Sequence, residues 1–126
     1  MTLALSSLLN FNKFYDQIKK EKIPFTLAYK LSKLKNDIDF HINFYQDNLR
    51  KIVSECAQRD ENGEIKTSPD GERVLLVSEL ISECTKRIQE LDNFEVTIPE
   101  YGLKIEDFNN ITLELEYLEP IFPFLD

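Results

Sequence analysis

At 126 residues, 42% of them hydrophobic, the chain has room for one domain with its own core and is too short for two. Its net charge of −8 argues against nonspecific attraction to nucleic acid or anionic lipid, and no apolar run approaches the roughly 20 residues that cross a bilayer. Cys56 and Cys84 are the only cysteines and form no CxxC pair, which excludes a disulfide framework and points to buried thiols in a reducing compartment.

The start, "MTLALSSLLNFNKF", lacks the basic flank and small-residue cleavage site of a signal peptide, so a soluble protein made inside a cell is expected. Ser6 and Ser7 are N-cap candidates for a first helix in which Leu8, Phe11, Phe14, Tyr15 and Ile18 recur at helical spacing, with lysines closing its C-terminal end. Ile23 before Pro24 is pushed out of the α region, and Pro24 and Thr26 suit the start of a second helix. There Leu27, Leu31, Leu34, Ile38, Ile42, Tyr45, Leu49, Ile52 and Cys56 follow one another at steps of three or four. The pattern predicts one amphipathic helix to about Gln58, roughly 45 Å long. Ala28, Phe40, Phe44 and Val53 widen its apolar face, so it needs partners on more than one side.

Next comes "DENGEIKTSPDGERV", with two Gly-centred turn signals. An EF-hand loop beginning at Asp60 would need Gly at its sixth position and a bidentate Glu at its twelfth. The chain places Gly63 fourth and Gly71 twelfth, with Lys66 where a ligand belongs. A β-hairpin fits better, with "ENGE" and "PDG" as turns and "EIKT" and "RVLLV" as short strands. "SELISECTKRIQEL" returns to helical spacing behind Ser78, and "FEVTI" alternates as a short strand that stops at Pro99. "YGLKIEDF" either pairs with that strand or forms a single helical turn. In the closing "NNITLELEYLEPIFPFLD", Leu113, Leu115 and Tyr117 alternate like a strand, while Ile111, Leu115 and Leu118 suit a helix; Pro120 and Pro123 are expected to end regular structure either way.

The fold expected is α+β, mainly α: an antiparallel helical bundle with one long central helix, a β-hairpin at its tip and a small C-terminal β or mixed element. The chain reads as a single domain, 1–126, comprising a helical hairpin (1–58), a β-hairpin excursion (60–76), a helix (78–92) and an acidic C-terminal element (93–126).

Little of the chain is arranged for chemistry. Asp37, His41 and Tyr45 share a helical face, the geometry of an oriented general base, but no second His or thiol accompanies them, and an ordinary surface pair is favoured. Cys56 and Cys84 occupy apolar positions, as core thiols do. The pairs Glu106–Asp107 and Glu114–Glu116 are read as solvated surface, and no P-loop, GxGxxG, metal spacing or nucleophile elbow is present. No enzymatic activity, metal, cofactor or small-molecule substrate is expected.

"KIPFTLAYKLSKL" opening a long helix, the turn-rich "RDENGEI…SPDGE", a third helix, "FEVTIPEYGLKIEDF" and a closing "LEYLEPI" occur in that order. In this the chain resembles an uncharacterised family of small bacteriophage proteins, over most of its length, and departs from the pattern in its last residues, "FPFLD". The resemblance implies a phage setting, in the virion or the host cytoplasm, and supplies no catalytic residues. The expected function is that of a structural or virion-associated protein acting on other protein chains, by self-association or with other virion proteins, with no direct contact to nucleic acid or membrane. The alternative is an acidic phage inhibitor of a host defence or nucleic-acid enzyme, presenting residues 90–126 as a phosphate-like surface.

Charge and apolarity suggest where contact is made. Residues 1–35 carry +5, whereas 90–126 hold ten carboxylates against Lys104 alone, −9. The two regions can satisfy each other within one chain or between neighbours. Ile121, Phe122, Phe124 and Leu125, with Glu114, Glu116 and Glu119 before them, are the candidate interaction residues. On this reading, deleting residues 121–126 weakens partner binding more than folding.

Overall fold

A strand of three residues has too little local preference to form unaided, and the chain's first element exists because a distant segment pairs with it. A computed structural model of the chain, which describes residues 1–126, places β1 (Thr2–Ala4) antiparallel to β2 (Glu95–Thr97), Leu3 opposite Val96. The Met1 ammonium donates to the Ile98 carbonyl at 3.2 Å, and the Ile98 N–H donates back to the Met1 carbonyl at 2.8 Å. Apart from this two-stranded sheet the chain is mainly helical, which gives the expected α+β, mainly α class. The helices are α1 (Phe11–Ile18), α2 (Phe25–Cys56), α3 (Ile81–Asp92) and α4 (Leu115–Leu118), joined by 3₁₀ turns. No helix is long and apolar enough to cross a membrane.

The chain divides into two compact units. One comprises Met1–Ile42 and Glu95–Asp126, the other Asn43–Phe94, so the border falls inside α2.

In the first unit, Ser6 and Ser7 do not cap α1 as expected. They lie in a 3₁₀ turn (Leu5–Leu8) that buries Leu5 and Leu8, and the Ser7 hydroxyl donates to the Ala4 carbonyl at 2.6 Å. α1 starts three residues later than that capping implied, and Phe11, Phe14 and Ile18 are buried at steps of three and four. The helix stops at Ile18, before most of the lysines, and α2 begins immediately after Pro24, whose carbonyl accepts the Ala28 N–H at 2.9 Å. The predicted row Leu27, Leu31, Leu34, Ile38 and Ile42 is buried.

The C-terminal segment corrects the expectation that its prolines end regular structure. Glu119–Phe124 is a 3₁₀ helix with Pro120 in its first turn and Pro123 inside it. A 3₁₀ helix needs φ near the value that the proline ring imposes, so Pro120 fits without strain and Pro123 gives up one hydrogen bond. "YGLKIEDF" takes the second of its two expected forms, a single turn at Ile105–Phe108. Phe124 packs edge-on to Phe11 with centroids 5.9 Å apart, and Phe108 packs edge-on to Phe14 at 6.0 Å. Such pairs add about 0.5–1.5 kcal/mol each beyond the area they bury. The Asp126 N–H donates to the Leu103 carbonyl at 2.7 Å and ties down the last residue.

In the second unit Tyr45, Ile52, Cys56, Ala57, Cys84 and Leu91 form the core, and Leu49 is half-buried rather than fully so. The stretch after α2 is not a simple hairpin. Single bridges join Arg59 to Ile65, Thr67 to Val74 and Ala57 to Leu76, so three short legs each pair with the other two. The hydrogen bonds close a ring: the Gln58 N–H donates to Leu75, Leu75 to Lys66, and Lys66 back to Gln58, at 2.8–3.0 Å. Both turns are local chemistry. Asp60 Oδ1 accepts the Asn62 and Glu64 N–H groups, Asp70 Oδ1 accepts that of Glu72, and Gly63 and Gly71 have φ of +79° and +75°.

Candidate functional site

In a 3₁₀ helix residues three apart eclipse one another, so a tail of alternating Ile, Phe and Leu is sorted into faces. Ile121 and Phe124 share one face and are 1% and 3% exposed. They are core residues, which corrects their assignment as interaction residues. Phe122 and Leu125 share the next face; Phe122 is 44% exposed and Leu125 half-buried.

Beside that second face lies an apolar groove of about 290 Å³, lined by Ile105, Phe108, Asn109, Leu118, Ile121, Phe122 and Leu125. Two 3₁₀ elements build it. Ile105 and Phe108 are first and last in the Ile105–Phe108 turn, with Phe108 anchored on Phe14, while Ile121 roots the other wall in the core. Sequence reasoning missed Ile105, Phe108, Asn109 and Leu118. The signal for the first two was the i, i+3 spacing in "KIEDF", which suits a 3₁₀ turn.

The predicted acidic residues do not line this groove. Glu116 and Glu119 line a separate depression with Ser7, Asn10, Lys13, Pro120 and Pro123, and Glu114 is exposed just before α4. Asp107 accepts the Lys104 backbone N–H at 3.0 Å, ordering the turn that carries Ile105 and Phe108.

The chain's ion pairs are Lys19–Asp16, Lys35–Asp39, Arg50–Asp47 and Arg87–Glu55. None joins the N-terminal lysines to the C-terminal carboxylates. Glu106, Asp107, Glu114, Glu116, Glu119 and Asp126 all lack a cation within 4 Å. Lys13 nevertheless shares a depression with Glu116 and Glu119, and Lys30 shares another with Glu106 and Asp107, so the two charged regions lie side by side there without forming close pairs.

The residues that share a face with His41 are committed elsewhere. Asp37 accepts the Tyr101 hydroxyl, and Tyr101 is pushed up to about 12 by burial and by that carboxylate. Tyr45 donates to Asp92 at 2.6 Å and is pushed up to about 12, mainly by that hydrogen bond and secondarily by burial. The His41 ring lies edge-on to Phe40, with centroids 5.4 Å apart. Burial, with Cys56 adjacent, pushes the Cys84 thiol up, away from the thiolate that nucleophilic chemistry requires. The Asp70 carboxyl is held low by the Ser68 hydroxyl and the Glu72 N–H.

The chain matches no protein-family model, no curated protein and no solved structure.

Proposed function

We propose that this is a non-enzymatic bacteriophage protein, structural or virion-associated, whose C-terminal groove receives an apolar segment with basic flanks from another protein chain. The observation that carries the reading is the partial exposure of Phe122 and Leu125 at the groove; Asp126 directly follows Leu125, and Glu106 and Asp107 belong to the turn that carries Ile105 and Phe108, none with a cation within 4 Å. Covering the exposed part of Phe122 alone removes roughly 90 Å² of apolar surface from water, worth about 2 kcal/mol. The carboxylates at Glu106, Asp107 and Asp126 add steering and orientation more than affinity.

The test is quantitative mass spectrometry of purified phage particles, made with the wild-type chain and with Phe122→Asp. A fixed copy number that falls at least tenfold in the variant, with the isolated variant still folded, is the expected result. The carboxylate surface also suits the inhibitor reading, since unpaired acids can imitate a phosphate backbone. That reading expects no chain in purified particles and salt-sensitive binding to a host nucleic-acid enzyme.

A further inference from the structure

α2 is apolar on two opposite faces. At about 100° per residue, Leu27, Leu31, Leu34, Ile38 and Ile42 point one way and are buried. Phe25, Tyr29, Lys33, Asn36 and Phe40 fall within an arc of roughly 80° on the other side. Phe25 is 94% exposed, Tyr29 63% and Phe40 70%. A single exposed aromatic ring needs no explanation, whereas three on one helix face mark a contact surface.

The row reads the same in both directions. From Tyr29 the steps to Lys33, Asn36 and Phe40 are four, three and four, and the residue types run aromatic, polar, polar, aromatic. A two-fold axis crossing the helix between residues 34 and 35 brings position 29 opposite position 40 of a second helix, and position 33 opposite position 36. An isologous contact demands this reciprocity, in which residue i meets j and j meets i.

We propose that this face of α2 docks antiparallel on the same face of a second copy of the chain. Tyr29 then stacks against the other copy's residue 40 and Phe40 against its residue 29, while Phe25 extends the contact by one turn. Lys33 Nζ lies 5.1 Å from the centroid of the Tyr29 ring, which draws its charge away from the axis and from its symmetry mate. The charges flanking the row are satisfied within each copy: Lys30 donates to the Gly102 carbonyl, Lys35 pairs with Asp39, and Asp37 accepts from Tyr101. Lys33, within the row, has no carboxylate within 4 Å, so its ammonium must stay at the solvent edge over the Tyr29 ring, which lowers the affinity of the contact. The exposed portions of the three aromatics amount to roughly 450 Å² per copy, or about 900 Å² for the pair. That falls below the roughly 1,200 Å² of stable specific interfaces, so the dimer is weak and concentration-dependent. This face is separate from the C-terminal groove, and the inference does not depend on that groove's role.

Sedimentation velocity of the full chain over about two decades of concentration tests the proposal, with far-UV circular dichroism confirming that each variant is folded. The wild type is expected to shift from monomer to dimer. Phe40→Glu and Tyr29→Lys, each alone, are expected to remain monomeric. As a readout that leaves the aromatics intact, Lys33→Cys and Asn36→Cys chains mixed with oxidised glutathione should cross-link to each other faster than either does to itself. A wild type that stays monomeric throughout, a dimer that survives Phe40→Glu, or cysteine variants that cross-link to themselves as fast as to each other overturn the proposal.

Discussion

Phe122 and Phe124 are the same residue type two positions apart, and the packing assigns them opposite roles, so truncating each to alanine tests the C-terminal architecture. Phe124 is 3% exposed and lies edge-on to Phe11 at 5.9 Å. Removing its ring takes away roughly 120 Å² of buried apolar contact, about 3 kcal/mol, and the lost aromatic pair adds about 1 kcal/mol. A total near 4 kcal/mol falls within the usual 3–5 kcal/mol for Phe→Ala in a core. Phe122, 44% exposed, should cost about 1 kcal/mol or less. Urea denaturation followed by circular dichroism measures both, with the midpoint and the m-value compared because the chain has two compact units. The same logic reverses the sequence-based expectation for the tail, since deleting 121–126 removes Ile121 and Phe124 and should destabilise the fold before it affects any partner. A Phe124→Ala loss below about 1 kcal/mol, or equal losses for the two variants, would refute this packing.

On α2, Ile42→Ala should cost about 2–5 kcal/mol, whereas Phe40→Ala, measured at monomer concentrations, should stay within about 0.5 kcal/mol; a comparable loss from both would mean that the aromatic face is packed within the chain. Gly63→Ala and Gly71→Ala meet no neighbouring atom within 4 Å, so each should lose only the backbone cost of positive φ, about 1–2 kcal/mol in thermal denaturation, and a loss of nil would show that the turn conformation is not required. The raised pKa values of Tyr45 and Tyr101 favour the neutral phenol in the folded state, so their contribution is full below about 10 and is lost as pH rises towards 12. Denaturation midpoints should fall across that interval, less steeply in Tyr45→Phe and Tyr101→Phe, and a variant with the wild-type slope would show that its hydrogen bond carries no linkage.

Whatever rested on local periodicity or local turn chemistry was legible in the residues. The Leu27–Ile42 row, the Phe11–Phe14–Ile18 face and the α3 pattern each repeat at helical spacing, and that spacing fixes a buried face whatever the partner is. The turns at Gly63 and Gly71 follow from an acidic side chain that caps its own backbone beside a glycine free to take positive φ. Long-range pairing decided the rest. Thr2–Ala4 carries no strand pattern and becomes one because Glu95–Thr97, more than 90 residues away, offers hydrogen bonds to its backbone. Residues 111–119 suited strand and helix equally; Leu115–Leu118 becomes a helical turn, 111–114 takes neither form, and the anchoring of Phe124 on Phe11 accompanies that outcome. The tail's apolar residues look alike in composition, and a three-residue repeat seated on α1 buries Ile121 and Phe124 while leaving Phe122 to solvent. Phe40 was expected to widen the buried face of α2, but an apolar side chain shows only that it gains by leaving water; which surface covers it depends on what the rest of the molecule brings there.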